Sequence, residues 1–162
     1  MNKNYAGIIF RDVPEDERNM MEALGFLLGS NDWVLRATGD LGITNPFLSG
    51  CMTVNGEKIL SNFNNASIAS ISYANKTFPK FHDFSDGKQK YLCSLISAIM
   101  GEDGKSPVKF VCLYGGTNQN ATRDIKTICT KNNITCYDIY SKDTLAIIQG
   151  KIDIMVKNFK EQ

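Results

Sequence analysis

The chain has 162 residues, 18 Lys plus Arg against 17 Asp plus Glu, one His, five Cys and a hydrophobic content of 43%. That length fits a single domain over residues 1–162, large enough for a real core and short for two. A net charge of +1 carries no basic excess of the kind that makes electrostatic binding to nucleic acid the default.

The lone imidazole, His82, excludes two-His metal sites and catalysis by a His cluster. Neither a metal site nor a cofactor is expected. Cys51, Cys93, Cys112, Cys129 and Cys136 are odd in number and contain no C-x-x-C pair, so neither a zinc ribbon nor a disulfide framework is indicated. Cys93 and Cys112 sit inside apolar runs, where a free Cys acts as a small buried hydrophobe. The opening MNKNYAG is polar, and no run of about 18 apolar residues is present to span a bilayer. A reducing, cytoplasmic setting is the expectation, with no membrane partner.

Residues 5–10 (YAGIIF) form a short continuous apolar run of the kind buried in a parallel sheet. From Asp12 the period changes. Pro14 suits a first helical turn, Glu15, Asp16 and Glu17 complement the helix dipole, and Met20, Met21, Leu24, Leu27 and Leu28 recur at helical spacing. Asn31 and Asp32 break that helix, and residues 33–37 (WVLRA) read as a second strand running into the turn-rich segment 38–42 (TGDLG).

A short helix is predicted from about Asn45-Pro46. Residues 51–81 are the least legible stretch, with EKILSNF as a strand and NFNNAS as a turn. A helix follows over 85–100, with Tyr91, Leu92, Leu95, Ile96 and Ile99 as its apolar face. The loop 101–107 (GEDGKSP) leads into the strand 108–114, which ends directly in Gly115-Gly116-Thr117. Residues 120–131 are helical in pattern, 134–139 form a last strand, and Ser141-Lys142-Asp143 would cap a C-terminal helix reaching about Phe159. Alternating strands and helices predict an α/β, Rossmann-like three-layer sandwich around a mostly parallel sheet.

In such a sheet, ligands sit at the carboxyl ends of the strands near a reversal of strand order, where helix N-termini offer free N–H groups to anions. Three loops qualify: Phe10-Arg11-Asp12, the segment from Thr38 to Gly42, and Gly115-Gly116-Thr117-Asn118. The third is the strongest, because adjacent glycines let backbone amides approach a phosphate and Thr117 adds a hydroxyl donor. The same glycines would equally close a tight turn with no ligand.

Arg11 can pair with a phosphate or carboxylate, or simply with Glu15 on the surface. Arg36 and Arg123 are weaker, since a strand-end and a helical-face Arg are commonly solvated. Asp40 and Asp12 are the carboxylates of these loops and the acid/base candidates, although loop Asp residues more often serve turns and caps. His82, among Phe78, Phe81 and Phe84, reads as a packed or capping residue, and the aromatics as core or dimer interface.

At these same loops the sequence resembles the SLOG superfamily of Rossmann-like nucleotide-binding proteins, which includes DNA-processing protein A and the Lonely Guy phosphoribohydrolases. It is closest in pattern to the small phage-encoded branch. The blocks that carry the resemblance are Tyr5-Ala6-Gly7-Ile8-Ile9-Phe10-Arg11-Asp12-Val13-Pro14, the stretch from Leu35 to Gly50, and Pro107-Val108-Lys109-Phe110-Val111 through Gly115-Gly116-Thr117.

The departures are as informative. Ile9-Phe10 stands where the family has Gly-Ser, Ala37-Thr38-Gly39-Asp40 where it has Ser-Gly-Gly-Ala, and Ile43-Thr44 where it has Ala-Asp. Bulky apolar residues narrow the family's phosphate site, and Asp40 puts a negative charge beside it. The glutamate that follows the phosphoribohydrolase glycine motif is absent, since no carboxylate follows Thr117 until Asp124.

The resemblance implies binding of a nucleotide or nucleotide-derived small molecule, without catalysis, in the cytoplasm of a phage's bacterial host. Gly115, Gly116, Thr117 and Asn118 would hold phosphate, Arg11 would supply counter-charge, and Thr38, Gly39 and Gly42 the opposite wall. One alternative is an N-glycosidic or nucleotide hydrolase using Asp40 or Asp12. Another is a degenerate homologue acting on a host protein, and assembly into a homo-oligomer is expected. DNA binding gains no help from the balanced charge.

Overall fold

The computed structural model describes residues 2–10, 13–38, 45–61, 64–115, 119–139, 150, 153, 154 and 157. In chain order the elements are β1 (Asn4–Ile9), α1 (Glu15–Ser30), β2 (Val34–Thr38), α2 (Pro46–Thr53), β3 (Lys58–Ser61), α3 (Ile68–Thr77), a 3-10 turn (Phe81–Asp83), α4 (Asp86–Met100), β4 (Phe110–Tyr114), α5 (Gln119–Lys131) and β5 (Thr135–Asp138). The strands form one sheet in the order β3-β2-β1-β4-β5, and every adjacent pair is parallel.

Period-two alternation sorts the strand side chains into two layers. Tyr5, Ile9, Leu35, Ala37, Phe110, Cys112 and Tyr114 pack with Met21, Leu24 and Leu28 of α1 and Phe47 and Cys51 of α2. Ala6, Ile8, Val111 and Leu113 pack on the other face with Leu92, Leu95, Ile96 and Ile99 of α4, Ile125 and Ile128 of α5 and Ala74 of α3. The molecule is therefore an α/β Rossmann-like three-layer sandwich, and its sheet is parallel throughout among the described strands.

Local chemistry explains the helix starts. Asn45 caps α2, its Oδ1 accepting from the amides of Phe47 and Leu48 at 3.0 and 3.4 Å. Its Nδ2 donates to the Gly7 carbonyl at 3.0 Å and so ties the cap to the central strand. Ser85 caps α4 through a 3.2 Å bond from the Lys88 amide. Helices α1 and α2 cross so closely that a Cβ on Gly50 would overlap the Glu22 carbonyl, and one on Gly25 the Phe47 carbonyl. Only glycine fits at either contact.

Three sequence readings change. Helix α3 lies in the stretch where no helix was predicted, capped by Ser67 accepting from the Ser70 amide at 3.1 Å. Its outer positions are apolar, with Ile68 largely exposed, so an apolar stripe facing one side is missing from the pattern. Arg36 is buried, 8% exposed, rather than solvated at a strand end. His82 is exposed in its 3-10 turn rather than packed into the core, while Phe81 beside it is buried. The C-terminal helix expected after Ser141 lies mostly outside the described residues; Gly150, Asp153, Ile154 and Lys157 are helical.

Candidate functional site

The order of strands reverses between β1 and β4: the chain builds outward through β2 and β3 on one side, then returns to place β4 and β5 on the other. At that junction the pairing runs to the strands' last residues. Ile9 lies opposite Tyr114, and the Phe10 amide donates to the Tyr114 carbonyl at 3.1 Å. Adjacent carboxyl ends at a reversal point leave a crevice that no crossover helix covers.

On the α4 and α5 side, toward the same end of the sheet, lies a pocket of about 280 Å³ lined by Lys88, Tyr91, Leu92, Leu95, Asn120, Ala121 and Asp124. Topology places it there. The C-terminal end of α4 reaches the amino ends of the strands, where the Val108 amide donates to Ile99 and the Lys109 amide to Asn4 at 2.8 and 2.7 Å. The N-terminal turns of α4 therefore point toward the carboxyl ends. Helix α5 begins at Gln119, a few residues after β4, so its first turns lie at the same end.

The pocket combines an apolar wall with a few polar groups, as small-molecule sites do. The Tyr91 hydroxyl is buried and has no hydrogen-bond partner among the described residues. Burial pushes its pKa well up, and the nearby Asp124 carboxylate adds to this. The Asp124 carboxyl is itself pushed up by burial, partly offset by the positive charges of Lys88 and Arg123. Phe10 packs on Tyr91, with ring centroids 5.7 Å apart, so it leans toward the α4 layer.

Of the loop residues singled out in the sequence, Thr38 ends β2 and Gly115 directly follows β4, where it is buried. Arg11, Asp12, Gly39, Asp40, Gly42, Gly116, Thr117 and Asn118 lie outside the described residues. Lys88, Tyr91, Asn120 and Asp124 were not singled out as site residues. Tyr91 was read only as part of an apolar face, and the signal that separates it is a phenol in an otherwise aliphatic stripe.

Two other hollows are less suited to a ligand at the strand ends. One of about 460 Å³ is lined, among the described residues, by the outer face of α5 alone, including Arg123, Lys126 and Lys131. The other, about 340 Å³, lies beside Arg36, Ser61, Ser97, Asp103 and Ser106. There the Arg36 guanidinium donates to the Ser106 carbonyl. Asp103 accepts from the Lys105 amide at 2.9 Å and the Ser106 hydroxyl at 3.0 Å. These bonds fasten the loop after α4 to the sheet, a structural task.

Comparison of the chain with protein-family models, curated proteins and solved structures returns no match. The described residues contain no group of three or more His, Cys, Asp or Glu placed to hold a metal ion, and no helix among them is long and apolar enough to cross a membrane.

Proposed function

We propose that the chain is a SLOG-like domain that binds a nucleotide or nucleotide-derived small molecule at the carboxyl ends of β1 and β4, as a binding protein rather than an enzyme. The observation that carries this reading is the reversal of strand order between β1 and β4, with the largely apolar pocket that holds Tyr91, Asn120 and Asp124 toward the same end of the sheet. Phosphate would meet the amides of Gly115 and Gly116, the Thr117 hydroxyl and Asn118, with Arg11 as counter-charge and Thr38, Gly39 and Gly42 opposite.

The sugar and base would extend between α4 and α5. There the Tyr91 hydroxyl, Asn120 amide and Asp124 carboxylate suit base edges or sugar hydroxyls. Phosphate would be kept away from Asp124 by like charge, which fixes the polarity of the bound molecule.

Isothermal titration against nucleoside mono-, di- and cyclic phosphates tests this. Binding tighter than millimolar, with the nucleotide recovered intact, is the expected result. Absence of any such binding would overturn the reading, and release of free base would replace it with the hydrolase, for which Asp40→Asn and Asp12→Asn would then be decisive.

A further inference from the structure

The hollow of about 340 Å³ that Arg36 lines sits over β2 and β3 at the C-terminal end of α4, and it shares no lining residue with the pocket of Tyr91 and Asp124. Strand register builds its floor. Arg36 lies opposite Ala6 on one side and Ile59 on the other, and Ala6 belongs to the layer under α4. Arg36, Ile59 and, two residues along β3, Ser61 therefore project toward α4, where Ser97 of its last turn meets them in the same hollow.

Depth sorts this lining by charge. Arg36, Ser61 and Ser97 are 8%, 4% and 9% exposed, whereas Glu102 and Asp103 are exposed. The cation is thus at the floor and the carboxylates are at the mouth, beside a helix C-terminus whose dipole adds negative charge there. The donors at the floor are only partly used. A guanidinium carries five N–H groups, and that of Arg36 makes one hydrogen bond to the described residues, to the Ser106 carbonyl. The hydroxyl of Ser61 makes none.

A buried guanidinium fork beside a free hydroxyl suits a carboxylate. A plain anion does not suit the mouth, because Glu102 and Asp103 repel it, and a doubly charged phosphate is repelled most. A ligand negative at one end and positive at the other satisfies both levels, and the half-exposed Ile59 offers it an apolar wall. We propose that this hollow binds a free aliphatic α-amino acid, its carboxylate on Arg36 and Ser61, its ammonium group on Glu102 and Asp103, and its side chain against Ile59. The volume lies in the range of small-ligand sites. Because Arg36 also holds the Ser106 carbonyl, the ligand would steady the loop that follows α4. The site is independent of nucleotide binding at the strand ends.

The test titrates the full chain, followed by backbone amide NMR, with L-leucine, L-leucine methyl ester, N-acetyl-L-leucine and inorganic phosphate. L-Leucine should saturate below about 10 mM, moving the amides of Ser61, Ser97 and residues 101–106 and leaving those of Tyr91 and Asp124 in place. The ester lacks the carboxylate and the acetylated form lacks the ammonium group, so each should bind about tenfold or more weakly, and phosphate should move none of these amides. Arg36→Lys should weaken L-leucine about tenfold by removing the fork, and Glu102→Gln, at an exposed position, about threefold without lowering the melting temperature. The analogue series on the unmodified chain decides the matter even where Arg36→Lys costs stability. No shift with L-leucine, or binding of the ester, the acetylated form or phosphate as tight as that of L-leucine, would overturn the proposal.

Discussion

The ring of Phe10 packs against that of Tyr91, 5.7 Å between centroids and tilted by 59°. The residue that leaves β1 at the reversal point is thereby held on α4, next to the one buried hydroxyl of the pocket that has no partner among the described residues. This contact gives Phe10 a structural role, fastening the end of β1 to α4 beside the pocket. Phe10→Ala should cost about 1–2 kcal/mol, less than a fully buried Phe because Phe10 is half-exposed. Urea denaturation would measure it.

Tyr91→Phe separates the hydroxyl's effect on folding from its effect on binding. Removing a buried oxygen that lacks a partner should leave stability unchanged or raise it by about 1 kcal/mol. Nucleotide affinity should fall about tenfold, the worth of one neutral hydrogen bond. Opposite signs from denaturation and titration of the same variant are the expected pair of results.

Asp124 predicts a pH dependence with a definite sign. Burial raises its folded-state pKa above the ordinary 3.8, so the native state holds the proton more tightly than the unfolded chain. The stability this contributes is present in full below the unfolded value and is lost as pH rises through the raised folded value. Asp124→Asn should therefore melt at a higher temperature than the parent chain at neutral pH, and the gap should close as pH falls below the carboxylate range. Thermal melts across that range would show it.

Gly50→Ala should be among the most damaging single substitutions. Its Cβ meets the backbone of α1 at Glu22 rather than the end of a flexible side chain, so the two helices must separate. A loss of about 3 kcal/mol or more is expected. By contrast Gly87→Ala, where a Cβ would meet nothing, should be neutral or slightly stabilising.

Arg36→Ala removes the side chain that anchors the loop after α4. A loss of about 2–3 kcal/mol is expected from a buried, charge-assisted hydrogen bond, with faster amide exchange at Lys105 and Ser106. Nucleotide affinity should stay unchanged, because Arg36 lies outside the pocket lined by Tyr91 and Asp124.

Much of the architecture was legible because the signals were local. Ser85 capped the predicted helix at 85–100, Asn45-Pro46 opened the short one, and the apolar runs at 5–10 and 108–114 are the two strands buried on both faces. Helix α3 was not legible, since Ile68 and Ile71 point to solvent and break the one-sided pattern by which a surface helix is read. Arg36 was misread because charge at a strand end ordinarily means water, and its partner, Ser106, is 70 positions away. The pocket was invisible for the same reason: Tyr91 and Asp124 line one pocket only when α4 and α5 are laid on the same face of the sheet, a pairing no local spacing encodes.

The most direct test of the central claim is a backbone amide NMR titration of the full chain with nucleoside monophosphates. Binding at the carboxyl ends of β1 and β4 predicts the largest shifts at Phe10, Gly115, Tyr91, Asn120 and Asp124, saturating below millimolar ligand. An unchanged spectrum at millimolar nucleotide, or shifts gathered instead around Arg36 and Ser106, would contradict it.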